Sequence, residues 1–259
     1  MTHKTIGFIG GGRVTRIILG GLGRAGQMPQ QIVVSDTNVE VLNRLKQAFP
    51  EIAIAPSDNR QPASQDIVFV ALHPPAIGGL LGEIKPALKP DSMLVSLAPK
   101  VTIAKLVEGL GGLSKIARMI PNAPSIVNAG YNPIVLSAAL TAAEKQELIA
   151  LFSVLGKCAE VAEEKLEAYA ILTAMGPTYL WFQLYELQAI AELFGLTRQE
   201  IEAGISEMVM GAVETLYGSG LSAEQVMDLI PVKPLGEDEG MIKNAYHSRL
   251  EALYKKLKG

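Results

Sequence analysis

The chain has 259 residues, 49% of them hydrophobic and 19% charged, with a formal net charge of −3 at pH 7. That length supplies one large domain or two modest ones, each with its own core, and the composition excludes a disordered chain. The mildly negative balance offers no basic footprint for nucleic acid, and a single cysteine, Cys158, excludes an intramolecular disulfide and a Cys-rich zinc site.

The apolar run after Met1-Thr2-His3-Lys4 is too short for a secretory signal. The most apolar segment, 168–182, is broken by Gly176-Pro177 and followed by Glu186, short of the roughly 20 residues that a membrane span needs. These features predict a cytoplasmic protein that acts on a small molecule, with no membrane and no nucleic acid as partner.

In chain order, residues 5–9, 31–35, 66–72 and 92–97 predict buried strands, being short, rich in Val and Ile, and bounded by Gly, Pro or Asp. Between the first two, Val14, Ile17, Ile18 and Leu22 recur at helical spacing, and Val41, Leu42 and Leu45 repeat the pattern after the second. This alternation predicts right-handed βαβ units and a parallel sheet. Residues 116–119 and 132–136 predict two further strands. After Val161 the pattern turns helical, over 164–173, 177–194, 198–217, 223–229 and 239–258. Pro177 suits a first helical turn, Gly195 a helix stop and Thr197 a cap. The expected fold is therefore α/β, a Rossmann-like, mostly parallel sheet domain over 1–162, followed by an all-helical domain over 163–259.

The first strand runs into Gly10-Gly11-Gly12-Arg13-Val14-Thr15 and then a helix. Gly10 permits the tight turn, and Gly12 lets a pyrophosphate approach the backbone where Arg13 and Val14 open the helix. Thr15 replaces the third glycine of the usual dinucleotide fingerprint, which predicts a slightly wider helix–strand spacing. Asp36 closes the second strand, where a carboxylate accepts from ribose hydroxyls and repels a 2′-phosphate. That reading calls for a nicotinamide dinucleotide, NADH or NADPH, with a lean to NADH; the alternative has Asp36 capping the next helix.

The segment Arg118-Met119-Ile120-Pro121-Asn122-Ala123-Pro124, continued by Val127-Asn128-Ala129-Gly130, resembles the R-x-M-P-N-T-P…G stretch of pyrroline-5-carboxylate reductases. Val70-Ala71-Leu72-His73-Pro74, Thr173-Ala174-Met175-Gly176-Pro177 and Met210-Gly211-Ala212 fall in register with the same family, so the similarity spans almost the whole chain. The resemblance implies a Rossmann-like domain and a helical dimerisation domain, a homodimer or higher homo-oligomer. It also implies hydride transfer from NAD(P)H to the C=N carbon of 1-pyrroline-5-carboxylate, giving proline. Leu72, His73, Pro74 and Asn122, in the matched segments, join Gly10, Gly12, Arg13, Val14 and Asp36 as candidate cofactor contacts. His73 can meet cofactor or substrate, and Asn122, held between Pro121 and Pro124, can aim its amide at the nicotinamide carboxamide or the substrate, or cap a turn.

Two segments depart from the family. Ala174-Met175 replace its serine–glycine loop and leave Thr173 as the hydroxyl, and residues 230–240 carry no serine or threonine where the family has S-P-G-G-T-T. His73 stands where the family has lysine, and Lys100 where it has a glycine-containing turn. Histidine, with an ordinary pKa near ~6.5, can donate a proton as hydride arrives, and Lys100 can pair with a carboxylate or the cofactor phosphates. Thr173, His73 and Lys100 are thus the candidate catalytic residues, and no metal site is expected. A different imine or carbonyl substrate, and a non-catalytic cofactor-binding subunit, stay open as alternatives. Trp181, Phe182 and Tyr185 predict a helix buried against other helices or a partner subunit, Met208 and Met210 predict core filling, and Glu163-Glu164 predict a helix start.

Overall fold

A computed structural model describes residues 4–258; the Met1-Thr2-His3 start, used above in reading the absence of a secretory signal, lies outside the described residues. The strands are β1 (Ile6–Ile9), β2 (Ile32–Asp36), β3 (Ala53–Pro56), β4 (Ile67–Val70), β5 (Met93–Ser96), β6 (Ile116–Met119), β7 (Gly130–Leu136) and β8 (Gly156–Glu160). They form one sheet in the order β3-β2-β1-β4-β5-β6-β7-β8, parallel except where β6 meets β7. Every residue of β1, β4, β5 and β6 is buried, which explains their unbroken apolar runs: a parallel strand covered on both faces needs no polar alternation.

Helices α1 (Arg13–Arg24), α2 (Val39–Ala48) and α6 (Ala142–Ser153), the short α3 (Arg60–Ala63), α4 (Pro74–Ile84) and α5 (Ile103–Gly109) cover the sheet. One core joins Phe8, Ile18, Leu22, Leu42, Phe69 and Phe152; there Phe8 stacks on Phe69 at 4.5 Å and Phe152 meets Phe69 edge-on at 5.8 Å. The other core joins Val68, Ile77, Leu81, Leu94 and Leu106. Two strands, β3 and β8, were not among those expected from sequence. Both lie at sheet edges, and their A-I-A-P and G-K-C-A-E sequences are largely exposed or half-buried, so neither carries the Val/Ile run of a central strand.

After β8 the chain forms a short α7 (Leu166–Tyr169) and a π-helical turn (Ala170–Ala174), then α8 (Pro177–Leu193), α9 (Arg198–Gly218), α10 (Ala223–Asp228) and α11 (Glu239–Lys258). Two compact units result: residues to Met175 together with those from Tyr254 onward, and Gly176–Leu253. The division falls after Met175 and not after Ala162, because residues 163–175 are tied to the sheet by a buried ion cluster. Arg118, in the middle of β6 and 1% exposed, donates from Nη1 to Glu163 Oε1 at 2.9 Å and from Nη2 to Glu167 Oε1 at 2.7 Å.

The second unit has well-made helix ends. Thr197 and Glu200 cap α9 reciprocally, as Ser222 and Gln225 cap α10. It has almost no interior: among residues 176–253 only Ile201 is buried. Phe182, Tyr185, Leu193 and Phe194 are 67%, 72%, 85% and 79% exposed, and Trp181, Met208 and Met210 are exposed too. Within this chain Trp181, Phe182 and Tyr185 are therefore not buried against other helices, the first of the two covers expected for them, and Met208 and Met210 do not fill a core. Among the described residues no helix is long and apolar enough to cross a membrane.

Candidate active site

The sheet order reverses at β1. From β1 the chain steps out to β2 and β3, then returns to the other side of β1 as β4, leaving a crevice at the carboxyl ends of β1 and β4. The glycine turn opens there. Gly10 has φ +105°, and a Cβ on it would stand 2.6 Å from the Ala71 carbonyl oxygen, so the turn requires glycine on both grounds. Thr15 is fully buried, and its Oγ1 donates to the Gly10 carbonyl at 2.5 Å. The hydroxyl that replaces the third fingerprint glycine therefore clasps the turn.

Asp36 fastens the same turn from β2. Its Oδ2 accepts from the Gly11 N–H and its Oδ1 from the Asn38 N–H, each at 2.8 Å. The cap of α2 is Asn38, whose Oδ1 accepts from the N–H groups of Glu40 and Val41, so Asp36 is free of the capping role. Gly12, the N-cap of α1, is exposed and brings no side chain to its helix end; a Cβ on it would meet nothing within 4 Å. Open space at Gly12, at a helix start that no side chain caps and beside a carboxylate with lone pairs to spare, fits a dinucleotide's pyrophosphate and ribose.

The other predicted residues occupy neighbouring strand ends. Leu72 follows β4, His73 is the exposed N-cap of α4, and Pro74 fills the first position of that helix, where its missing N–H is harmless. Lys100 follows β5, exposed and with φ +71°. Asn122 follows β6 and leads into a 3-10 turn (Ala123–Val127). That turn lies against α1, where a Cβ on Gly21 would come within 2.3 Å of the Ser125 carbonyl oxygen.

Asn122 is buried and held by protein. Its Oδ1 accepts from the Tyr131 N–H at 3.2 Å, and its Nδ2 donates to the Thr173 carbonyl at 3.2 Å. Ser125 Oγ donates to Oδ1 of the buried Asn132 at 2.8 Å. Thr173 lies in the π-helical turn, and its hydroxyl donates back to the Tyr169 carbonyl at 2.8 Å. Tyr169 stacks on Tyr131, with ring centroids 5.9 Å apart. Burial, then the neighbouring Tyr169, pushes the Tyr131 phenol above its usual range. A π-helical turn inside a helical run often marks a functional position, and this one is anchored by Asn122.

Sequence reasoning missed the cluster that braces this rim. Glu163 is more than the helix-start charge expected, and Glu167 went unread: besides Arg118, Glu163 Oε1 accepts from the Ile103 N–H at 2.8 Å and Glu167 Oε1 from the Lys100 N–H at 3.0 Å. Burial opposes the ionisation of Glu167, but the bonds from Arg118 and the Lys100 N–H outweigh it and hold its carboxyl below the usual range. The available signal was Arg118 itself. An arginine inside an I-A-R-M strand demands buried counter-charges. Its Nε has no partner among the described residues. All the predicted site residues thus belong to the first unit, along the adjacent carboxyl ends of β2, β1, β4, β5 and β6 and on the π-helical turn tied to them.

Residues 5–100 match the family described as NADP oxidoreductase, coenzyme F420-dependent. The pyrroline-5-carboxylate reductase of Escherichia coli (strain K12) is 30% identical over 231 residues, covering 88% of this chain and 85% of that protein. A pyrroline-5-carboxylate reductase structure from Coxiella burnetii is 30% identical, with TM-score 0.71 over 99% of this chain and 95% of that one. The fold is matched more closely by the Plasmodium falciparum pyrroline carboxylate reductase with NADP bound, at TM-score 0.83 and 23% identity, covering 100% of this chain and 98% of that one. With similarity of this extent running through both units, the chain belongs to the pyrroline-5-carboxylate reductase family.

Proposed function

We propose that this protein reduces 1-pyrroline-5-carboxylate to proline, adding hydride from a nicotinamide dinucleotide to the C=N carbon and a proton to the ring nitrogen. The observation that carries the reading is the glycine turn at the switch point, clasped by Asp36 at 2.8 Å, in a chain 30% identical to such a reductase over both units. When bound, the cofactor supplies the hydride.

The chain supplies position. The N–H groups of Arg13 and Val14, at the uncapped start of α1, favour the pyrophosphate, and Gly12 leaves it room. The remaining lone pairs of Asp36 accept the ribose hydroxyls, and its charge disfavours a 2′-phosphate, so NADH is the preferred cofactor. Leu72 and Pro74 wall the crevice beside β4. His73, exposed at the head of α4, holds the proton destined for the ring nitrogen. One N–H of the Asn122 amide is committed to Thr173, and the other is the group left to meet the nicotinamide carboxamide. Thr173, its hydroxyl proton committed to Tyr169, offers lone pairs and shape. A protonated imine is already electrophilic, so holding its carbon in near-attack position, about 3–3.5 Å from the carbon that would give up the hydride, would supply much of the acceleration.

The bare apolar faces of α8 and α9 support a second copy of this chain as their cover, giving a homodimer or a higher homo-oligomer. A chain with a single cysteine, Cys158, can form no intramolecular disulfide, which suits a reducing cytoplasm. A second reading, reduction of another cyclic imine or a carbonyl, draws on the committed Thr173 hydroxyl. The test is cofactor oxidation by the purified protein with NADH and NADPH in turn. Saturable turnover of 1-pyrroline-5-carboxylate at about 1 per second or more is expected. Intact cofactor binding without turnover of this imine would remove it as the substrate.

A further inference from the structure

Lys100 occupies a backbone position that favours glycine. Its φ of +71° lies in the left-handed region, where the side chain of an L residue crowds the backbone. Ser57 and Asn128 are the other non-glycine residues with positive φ among those described. Asn128 has a use for the conformation within the fold, since its Nδ2 donates to the distant carbonyls of Gly21 and Val154, each at 2.8 Å. The Lys100 ammonium makes no comparable bond among the described residues.

The strain persists because its surroundings fix it. The Lys100 N–H donates to Glu167 Oε1 at 3.0 Å, and that carboxylate is pinned by the buried Arg118 at 2.7 Å. The side chain itself is exposed, and its ammonium makes no ion pair among the described residues. A cation is thus held at the carboxyl end of β5 in a conformation that glycine would adopt freely.

Its place on the rim selects the anion. β5 lies beyond β4 from β1 and β2. A dinucleotide with its adenosine ribose at Asp36 and its pyrophosphate at the start of α1 has its nicotinamide half on the β4–β5 side. The same Glu167 that holds the Lys100 turn lies on the helical run that leads to the Thr173 carbonyl held by Asn122. The anion expected at that end of the crevice is the carboxylate of the reacting imine, not a cofactor phosphate.

We propose that Lys100 is a specificity-determining residue whose ammonium pairs with the substrate carboxylate. The proposal rests on the reductase reading above and adds to it a reason for selecting a cyclic imino acid over a plain cyclic imine. Glu167 and Arg118 are then positioning residues for this lysine.

The test compares the wild type, Lys100→Gly and Lys100→Arg on 1-pyrroline-5-carboxylate and on 1-pyrroline, which lacks the carboxylate, alongside NADH binding and thermal melting. In Lys100→Gly the ratio of kcat/KM for the two imines should fall about tenfold or more, the scale of one lost charge-assisted hydrogen bond. The NADH Kd should hold, and Lys100→Arg should recover most of the ratio. Relief of the left-handed strain should raise the Tm of Lys100→Gly by about 2–4 °C, so a loss of activity there is not a folding failure. An unchanged ratio, an equal loss on both imines, or a loss confined to the NADH Kd, which would mark the phosphates as the partner, overturns the proposal. Wild-type turnover with an unchanged ratio removes the lysine alone. Absence of wild-type turnover on either imine removes the reductase reading and this proposal with it.

Discussion

The two units of this chain put apolar sequence to opposite ends. In the first, β1, β4, β5 and β6 and the helices around them bury their apolar residues in two cores, one on each face of the sheet. In the second, α8, its C-cap Phe194 and α9 carry Trp181, Phe182, Tyr185, Leu193, Phe194 and Met210, all exposed in the chain, over a unit with one buried residue. The lesson concerns where the stabilising partner lies. The first unit is complete by itself and holds every candidate site residue. The second has helix caps but no interior, so on our reading its cover comes from another copy.

The largest expected effect tests the completeness of the first unit. Arg118→Met leaves Glu167 and Glu163 without the guanidinium that offsets their burial, and should destabilise that unit by about 3–5 kcal/mol. A denaturation midpoint that barely moves would show that the cluster does not brace residues 163–175. The second unit is tested by Phe182→Asp combined with Phe194→Asp, two charges on its exposed face. Sedimentation should show association weakened by about 2 kcal/mol or more, with the cofactor Kd kept. Unaltered association would place the interface elsewhere.

Smaller effects sharpen the picture of the first unit. Asp36→Ser should relax the discrimination against NADPH by about tenfold, roughly 1.4 kcal/mol, read as the ratio of the two cofactor Kd values. Equal relative affinities before and after would remove Asp36 from the ribose site. The smallest effect is a pH dependence at the start of the sheet. Lys89 donates to Asp66 Oδ1 at 2.7 Å and the Thr5 N–H to Oδ2 at 2.8 Å. The Lys89 bond, followed by those from Thr5, holds the Asp66 carboxyl down at about 2, from an ordinary value of 3.8. Because the folded-state value is the lower one, this contribution is present above about pH 4 and is lost as pH falls through 2. The pair is partly exposed, so about 1 kcal/mol or less is expected. Asp66→Asn should flatten that part of the stability curve, and an unaltered curve would exclude the pair.

The legible part of the molecule was the part whose physics is local. Gly10, with its positive φ, and the βαβ rhythm are short-range signals, and the glycine turn and Asp36 lie where the sequence pattern put them, at the ends of the adjacent strands β1 and β2. Edge strands β3 and β8 were hidden, because a strand with one covered face carries little apolar sequence. The long-range partners were hidden for a different reason. Nothing local to Glu163 or Glu167 announces a contact with Arg118 some 45 residues away, and nothing local to Thr173 announces Asn122. The helical face of the second unit was legible as apolar, but periodicity identifies a face to be covered without saying which chain covers it.

The most direct test of the central claim follows the hydride. Purified protein is given 1-pyrroline-5-carboxylate and NADH carrying deuterium at the transferable C4 position, and the product is read by mass spectrometry. Proline one mass unit heavier, labelled at C5, is the expected result. Unlabelled proline, or label found only in some other reduced product, would contradict it.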